Sequence, residues 1–353
     1  MGATPADDGG ARRAQPARFP LDDKRVYDAY VAGRQSAAMC VAVRAGLFDW
    51  LAADGAGASL EAVAARTGWS ARGTRSMISA LCAMGLVLRT KGGLRVSEDA
   101  AAYLTRGTSG SLWGLVDMEV DHFLSPRALL DALEKDDSSV YGEADPWEAH
   151  DADPERARAF TAAMHSVSER PAAGVAEFVD LAGVESMLDV GGGSGALSIA
   201  LCGANPALRA TIYDIAAVEP LAREYVEDAG LSERIDVEVG DMFGPPLPAG
   251  HDAVLYSQIL HDWGFEKGAD LLARAFEALP PGGQILVHEK LVEDEADAPL
   301  ANALVHLDML VWTEGQQYRL RELAGMLTVA GFEEVERVRT AGYWSLVRAR
   351  RPR

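Results

Sequence analysis

The sequence predicts an α/β protein: a mostly parallel, doubly wound sheet with helices on both faces, preceded by a smaller α-helical, winged-helix-like domain. Three observations predict it. The length of 353 residues suits two domains of roughly 150 residues each. After residue 184, apolar strand-like segments alternate with helical segments, which is typical of a parallel sheet covered by helices. In the first hundred residues, apolar side chains recur at helical spacing and are followed by a short hairpin pattern.

The chain begins with a predicted disordered arm and a helical domain. Residues 1–20 contain arginines but no apolar run, so we expect an unfolded arm and not a signal peptide. Residues 21–105 carry apolar residues at helical spacing, and Ser59 stands where it can cap one of the helices. Gly92 and Gly93 separate two short apolar runs, which predicts a two-stranded wing. Helices followed by such a wing form a winged-helix arrangement.

Two further segments complete the predicted organisation. Residues 106–180 combine helical stretches with a part rich in acids and turn residues, so we expect a helical linker that closes over a pocket as a lid. Residues 181–353 begin with the strand SMLDVGGG, which runs into glycines. The further predicted strands are RATIYDI, IDVEVGD, HDAVLYSQIL, GGQILVHEKL, EEVERVR and YWSLVRA.

The chain carries an excess of acidic residues. It has 33 lysines and arginines against 53 aspartates and glutamates, for a formal net charge of −20. This charge disfavours nucleic-acid binding, which needs cationic side chains to displace counterions, and docking on an anionic membrane surface. The 3 cysteines are too few for a disulfide scaffold, and no apolar run has transmembrane length. We therefore expect a soluble, cytoplasmic protein with neither a nucleic-acid nor a membrane partner.

The strongest local signal is the segment from Leu188 to Gly195, LDVGGGSG. A strand ends there, the chain turns on glycines, and a helix begins. Glycines such as Gly191 and Gly193 allow the backbone to approach a ligand closely and to present N–H groups to it. The loop lacks the pattern of a phosphate-binding loop. By itself it fits a dinucleotide, a nucleotide or S-adenosylmethionine.

Three carboxylates at successive strand ends favour S-adenosylmethionine among these ligands. Asp214 ends the strand after the loop, where it can accept both ribose hydroxyls of a nucleoside. Asp241 ends the next strand, and its neighbours Met242 and Phe243 supply apolar walls for an adenine. Asp189 precedes the glycines, where a carboxylate repels a pyrophosphate but attracts the sulfonium and ammonium of S-adenosylmethionine.

These motifs resemble a known family. The segments LDVGGGSG, YDI, GDMF, SQILHDW, LPPGGQILVHE and LTVAGF match, in order, those of the small-molecule S-adenosylmethionine-dependent O-methyltransferases of plant phenolic and bacterial natural-product metabolism. The resemblance covers nearly the whole chain. It implies a Rossmann-like class I methyltransferase domain, an N-terminal dimerisation domain, a homodimer, and an active site between the domains. It also implies that the site binds S-adenosyl-L-methionine and a small-molecule substrate, with Ser257 among the cofactor-binding residues.

The resemblance further implies a catalytic base. The histidine of the family's HDW motif corresponds to His261, whose neutral imidazole can take a proton from a hydroxyl as the oxygen attacks the methyl group. Two acids flank this histidine in the family. Glu289 matches one of them, but Gln317 replaces the other, and a neutral amide cannot polarise the base as a carboxylate can. We therefore predict His261, Asp262 and Glu289 as the catalytic residues.

A second departure from the family pattern suggests a metal site. Where bacterial relatives carry an aspartate, this chain has His306, on a helix that faces the active site in the family. We expect His261, Asp262 and His306 to converge, because two imidazoles and a carboxylate can hold one divalent or ferric ion. Such an ion would stabilise the enolate of a 2-oxo acid, and the sequence is similar here to methyltransferases that methylate 2-oxo acids on carbon. Arg319 and Arg321 would then pair with the substrate carboxylate.

Three functions are compatible with the sequence. We favour metal-assisted methylation of the carbon next to the ketone of a 2-oxo acid. The alternative is metal-independent methylation of a phenolic hydroxyl of a natural product, with His261 as the general base. A non-catalytic winged-helix regulator that senses S-adenosylmethionine is a third hypothesis, and the negative charge disfavours it. The residues predicted to line the acceptor pocket are Met118, Trp147, Met164, Met309, Trp312 and Gln317.

Overall fold

The computed structural model describes residues 22–122, 124–135 and 153–353. The predicted arm and Trp147 therefore lie outside the described residues. The first elements are α1 (Lys24–Arg44), α2 (Leu47–Asp54), α3 (Leu60–Thr67), α4 (Ala71–Ala83), β1 (Val87–Thr90), β2 (Gly93–Val96) and α5 (Glu98–Tyr103).

Serine side chains begin three of these helices. The hydroxyl oxygens of Ser59, Ser70 and Ser97 each accept a hydrogen bond from the backbone N–H three residues further on, at 3.1, 3.1 and 3.2 Å. Such caps satisfy donors that have no partner inside the helix. β1 and β2 pair antiparallel, with Val87 opposite Val96. The helices and this wing share one hydrophobic core, which confirms the predicted winged-helix-like domain.

Three further helices join this domain to the rest of the chain. They are α6 (Trp113–His122), α7 (Pro126–Lys135) and α8 (Pro154–Phe178). Asp153 caps α8, because its Oδ1 accepts from the backbone N–H groups of Glu155 and Arg156 at 3.1 and 3.2 Å. Helix α8 packs against α6 on one side and against the first helix of the sheet domain on the other. It therefore forms a wall shared by the two halves.

The C-terminal part of the described chain builds a seven-stranded sheet. Its elements are β3 (Ser186–Val190), α9 (Ala196–Ala204), β4 (Arg209–Asp214), α10 (Glu219–Asp228), β5 (Ile235–Val239), β6 (Ala253–Ser257), α11 (Phe265–Ala278), β7 (Gln284–Glu289), α12 (Leu300–Trp312), α13 (Leu320–Val329), β8 (Glu333–Arg339) and β9 (Ser345–Arg350).

The strand order is β5-β4-β3-β6-β7-β9-β8. Strands β3 to β7 pair in parallel, and β9 is antiparallel to both of its neighbours. This confirms the mostly parallel sheet that the sequence predicts. The order reverses between β3 and β6, and ligands of such sheets bind beyond the carboxyl ends of the strands at that point.

Hydrophobic clusters cover both faces of the sheet. Along β3, Met187 packs into one cluster, and Leu188 and Val190 pack into the other, because successive side chains of a strand point to opposite faces. All 6 residues of β7 are buried. Strands that are buried on both faces have nearly continuous apolar sequences, and this is why they stand out in the sequence.

No single helix in the described part of the chain is long and apolar enough to cross a membrane. By length and composition alone, α1 and α2 pass such a test together, as a pair bent by 63°.

Candidate active site

A cavity of about 780 Å³ lies beyond the carboxyl ends of β3, β4, β5 and β6. The strand ends and the loops that follow them form its floor. Helices α6, α8 and α12 contribute the opposite walls. The cavity therefore lies at the strand-order reversal, between the sheet and the helices that follow the winged-helix-like domain.

The glycine loop after β3 forms one side of the cavity. Gly191 has a φ of +65°, and a Cβ added to it would lie 2.4 Å from Cδ1 of Ile259. A side chain is therefore excluded both by the backbone conformation and by the close packing. The backbone N–H of Gly193, whose φ is +57°, donates to Oδ2 of Asp214 at 2.7 Å. The second strand end thus fixes the loop in its place.

Asp189 is buried beneath the loop, with 1% of its surface exposed. Its Oδ2 accepts a hydrogen bond from the hydroxyl of Ser198 at 2.6 Å, while its Oδ1 has no hydrogen-bond partner among the described residues. Burial raises the pKa of this carboxyl to about 7. A cation beside it would favour the ionised form and satisfy the free oxygen, so Asp189 fits the sulfonium or ammonium of S-adenosylmethionine.

The other predicted cofactor-binding residues line the same cavity: Gly191, Gly193, Asp214, Asp241, Met242, Phe243 and Ser257. The Oδ1 of Asp241 accepts from the backbone N–H of Phe243 at 2.8 Å, which fixes the turn after β5. The Phe243 ring meets Trp263 edge-on, with 4.7 Å between ring centroids. The set offers carboxylate acceptors and a flat apolar wall, so the residues present fit an adenosine and the cationic methionine part.

His261 lies in a short 3₁₀ turn, Leu260–Asp262, that follows β6. Its Nδ1 is 3.0 Å from Oε2 of Glu289, and its Nε2 is 3.5 Å from Oδ1 of Asp262. Glu289 has 1% of its surface exposed. Burial of the imidazole favours its neutral form, but the carboxylates of Glu289 and Asp262 outweigh this effect and raise the pKa of His261 to about 9. The imidazole is thus held between two acids.

Gln317 contacts the same ring nitrogen. Its Nε2 is placed 2.8 Å from Nδ1 of His261, and its Oε1 is buried without a partner among the described residues. A carboxylate only accepts hydrogen bonds, so the contact with Glu289 places the proton on Nδ1 of His261. An amide N–H cannot donate to a nitrogen that already carries a proton. Which end of an amide is oxygen and which is nitrogen is assigned from the surrounding hydrogen bonds. With the amide rotated, its oxygen accepts from Nδ1–H.

Gly315 packs directly against the 3₁₀ turn that carries His261, called the histidine turn below. A Cβ at this position would lie 2.1 Å from the backbone oxygen of His261 and 2.5 Å from the backbone nitrogen of Trp263. Only glycine allows the two segments to approach so closely. The sequence contains no local signal for this contact, because the two segments are far apart along the chain.

The predicted metal set does not form. His306 is exposed, does not line the cavity, and its Nδ1 lies 3.0 Å from the backbone oxygen of Gln317. On the same helix, Val305, Asp308 and Met309 face the cavity instead. Among the described residues, no group of three or more His, Cys, Asp or Glu side chains is arranged to hold a metal ion. The expected convergence of His261, Asp262 and His306 is therefore wrong.

The predicted arginine pair is also misplaced, because neither side chain lines the cavity. Arg319 bonds the backbone oxygen of Asp294 at 3.1 Å and the carboxylate of Asp297. Arg321 is exposed and lies 3.9 Å from Asp294. Both arginines hold the segment between β7 and α12. Gln317 likewise lies behind His261 and not on the cavity wall.

The acceptor half of the cavity is mostly apolar. Four of the predicted lining residues are in place: Met118, Met164, Met309 and Trp312. Sequence reasoning did not identify three charged residues that also line the cavity, namely Glu119, Lys290 and Asp308. It also missed Gln258, which has a left-handed φ of +57° just before the histidine turn. Strain of this kind is concentrated at functional sites but leaves no mark in the sequence.

The sheet topology and the cavity are those of an S-adenosylmethionine-dependent methyltransferase. A model of the O-methyltransferase domain matches residues 127–333, and a model of the O-methyltransferase dimerisation domain matches residues 29–106. The chain belongs to this O-methyltransferase family.

Relatives of known activity match most of the chain. A 3-hydroxy-5-methyl-1-naphthoate 3-O-methyltransferase of Streptomyces sahachiroi is 38% identical over 305 residues, 86% of this chain and 87% of that protein. The tetracenomycin polyketide synthesis 8-O-methyl transferase of Streptomyces glaucescens is 32% identical over 340 residues, 95% of this chain and 98% of that protein. Human N-acetylserotonin methyltransferase, solved in complex with S-adenosylmethionine, superposes with a TM-score of 0.84 at 29% identity, covering 96% of this chain and 100% of that one.

Proposed function

We propose that this enzyme methylates a phenolic hydroxyl of an aromatic natural product, with His261 as the general base. One observation carries the proposal. The Nδ1 of His261 is occupied by Glu289 and Gln317, which leaves Nε2 as the basic nitrogen of a residue that lines the cofactor cavity. A methyltransferase needs such a base when the attacking atom carries a proton that it must lose.

The cofactor, when bound, supplies a methyl group on a sulfonium. Asp189 would hold its cationic part, Asp214 its ribose and Asp241 its adenine. The chain supplies the base and its orientation. Nε2 of His261 accepts the hydroxyl proton, and the resulting imidazolium is stabilised by Glu289 at Nδ1 and by Asp262 beside Nε2. Glu289 is buried and the side chains of His261 and Asp262 are only 13% and 12% exposed, which strengthens these interactions because little water screens them.

The walls of the acceptor half suit a flat aromatic ring system. Methionine side chains from three helices, Met118, Met164 and Met309, together with Trp312, form apolar and adaptable surfaces. The hydroxynaphthoate and polyketide acceptors named for the two bacterial relatives support a fused-ring phenol as the substrate class. The 780 Å³ of the cavity is within the usual range of about 300–1,000 Å³ for small-molecule sites.

The working form is proposed to be a homodimer. The dimerisation-domain model covers residues 29–106, and the first half of α1 exposes Val26, Tyr27 and Tyr30 at 74%, 60% and 62%. A second copy of the chain would cover this apolar helix face, as the family's dimerisation domain implies.

The test is turnover of a panel of hydroxynaphthalenes and polycyclic phenols with isotopically labelled S-adenosylmethionine. The expected products are methyl ethers, identified by mass spectrometry and by the carbon shift of the labelled methyl group. His261→Ala should lower kcat at least about 100-fold. Its KM for S-adenosylmethionine should change little, because the cofactor-binding residues are intact.

Metal-assisted carbon methylation predicts a different result with the same protein. In that case a strong chelator would abolish turnover, 2-oxo acids would be the preferred acceptors, and His306→Ala would be inactive. The O-methylation proposal predicts full activity in the chelator. Because the side chain of His306 is exposed, it also predicts that His306→Ala retains turnover.

A further inference from the structure

The acceptor half of the cavity contains a charged cluster that hydroxyl methylation alone does not require. Glu119 on α6, Asp308 on α12 and Lys290, directly after β7, all line the cavity. They come from two helices and from the segment after β7, and the acceptor half around them is mostly apolar. A base and apolar walls suffice to methylate a phenol, so the cluster calls for a separate explanation.

Neither carboxylate of this charged cluster accepts a hydrogen bond or forms a direct ion pair with a described residue. Lys290 is held by other means, since its ammonium lies 4.6 Å from the centre of the Trp344 ring. The three charges are nevertheless close enough to influence one another. The charge of Asp308 raises the pKa of Glu119, and the charge of Lys290 lowers that of Asp308.

The charged cluster is unbalanced. With both acids ionised, two carboxylates against one ammonium leave a surplus of one negative charge in a site that is partly shielded from water. Burial also lowers the pKa of Lys290, which disfavours the one positive charge. Burial and the neighbouring Asp308 raise the pKa of Glu119 to about 7, and burial also raises the pKa of Asp308. Both acids are therefore destabilised as anions while the cavity holds only protein. A ligand cation would stabilise them, whereas a ligand anion would add repulsion to a site with a negative excess.

We propose that the acceptor carries a protonated amine that binds between Glu119 and Asp308. The substrate is then a hydroxylated aromatic amine, which shares the phenolic ring but not the carboxylate of the naphthoate named for the Streptomyces sahachiroi relative. This inference rests on the proposed function, because it assigns the far side of the same acceptor pocket. Charge-assisted hydrogen bonds to two carboxylates give affinity for the amine. The same carboxylates exclude a carboxylated analogue, since discrimination is built from repulsion as well as attraction.

The test compares three acceptors with one hydroxynaphthalene skeleton that carries an aminomethyl, a methyl or a carboxyl group at the same position. Dissociation constants are measured by calorimetry on protein loaded with S-adenosylhomocysteine, and kcat/KM is measured with S-adenosylmethionine. The aminomethyl compound is expected to bind roughly tenfold or more tightly than the methyl compound, and the carboxyl compound more weakly than both. Equal binding of the three, or tightest binding of the carboxyl compound, would overturn the proposal.

Variants test whether the preference for the amine comes from the charged cluster or from the pocket as a whole. In Glu119→Gln and in Asp308→Asn, the ratio of the aminomethyl to the methyl dissociation constant should move toward one, because each variant removes one of the two carboxylates. Glu134→Gln is the matched control, because Glu134 is exposed on α7 and should leave the ratio unchanged. If either cluster variant keeps the full ratio, its carboxylate does not hold the amine. Thermal denaturation confirms that each variant is folded.

The two proposals fail in distinguishable ways. If the protein binds the amine preferentially but forms no methyl ether, the O-methylation proposal is wrong and the amine site stands. If it forms methyl ethers without any preference for the amine, the amine site is wrong and the O-methylation proposal stands.

Discussion

His261 has two partners at one ring nitrogen, and their chemistry sets its behaviour as a base. Glu289 brings a charge and Gln317 brings an amide, both within 3.0 Å of Nδ1. The charge favours the imidazolium, while the amide only fixes the tautomer. Where both positions are acidic, as the family pattern implies, the histidine would be more basic than it is here. Compared with a carboxylate at this position, Gln317 therefore keeps the pKa of His261 lower while it still holds the imidazole ring in place.

The first prediction at this scale concerns Glu289→Gln. The carboxylate raises the pKa of His261, so its removal lowers that pKa, and the fraction of neutral base at a given pH increases. In wild type, kcat/KM should rise with pH as His261 loses its proton. In the variant this rise should move down by about one pH unit or more. The plateau should also fall, because the imidazolium formed in the reaction loses its counterion. A pH profile that does not move would show that Glu289 does not act on the base.

Gln317→Glu should shift the profile in the opposite direction. A second carboxylate beside Nδ1 stabilises the imidazolium and raises the pKa of His261 further. Turnover at neutral pH should therefore fall, and it should recover as the pH is raised toward the new plateau. Gln317→Leu is the companion variant. It removes the acceptor without adding charge, so its rate should be lower at every pH. If Gln317→Glu has a wild-type profile, the residue has no role at the base.

At the scale of elements, helix α12 shows why the metal prediction was wrong. Successive residues of an α-helix are turned by about 100°. Val305, Asp308, Met309 and Trp312 follow the spacing of one helix face, and this is the face that meets the cavity. His306 is one step away from that face and points out of the cavity. The sequence shows which residues share a face, but the packing of the helix decides which face is turned inward.

The segment around Gly315 gives a prediction about how elements fit together. In Gly315→Ala, the added Cβ would overlap the backbone of the histidine turn, so the turn or the segment must move. A displacement of about 1 Å at a catalytic group can cost roughly 100-fold in rate. We expect kcat to fall by about tenfold to 100-fold, with little change in cofactor binding.

Gly325→Ala is the control for that variant. Gly325 lies inside α13, and a Cβ at this position meets nothing within 4 Å. Replacing a helix-interior glycine by alanine stabilises a protein by about 0.5–1 kcal/mol, so the melting temperature should rise and kcat should not change. If Gly315→Ala behaves like this control, the contact with the turn does not position His261.

At the scale of the whole molecule, the proposed homodimer places the exposed apolar face of α1 at its interface. Tyr27→Ser combined with Tyr30→Ser removes two aromatic rings from the exposed helix face. We expect the dimer to dissociate at a protein concentration at least roughly tenfold higher than for wild type, as measured by sedimentation equilibrium. Val329→Ser, at a residue that is 87% exposed on α13, is the matched control. A dimer that tolerates the double variant would place its interface elsewhere.

The sequence by itself determined the α/β fold, the parallel strands and the cofactor cavity. Buried strands, glycine turns and strand-end carboxylates are local patterns, and the carboxyl ends of neighbouring parallel strands always meet at one edge of the sheet. The HDW motif also singled out His261, the residue proposed as the base, and the structure places it in the cavity. Only the tertiary structure decided what surrounds that base. His306, Arg319 and Arg321 lie outside the site for which they were predicted. Gly315 and the charged cluster belong to it, although the sequence did not predict them. The rotation of a helix and the contacts between distant segments depend on how the elements pack.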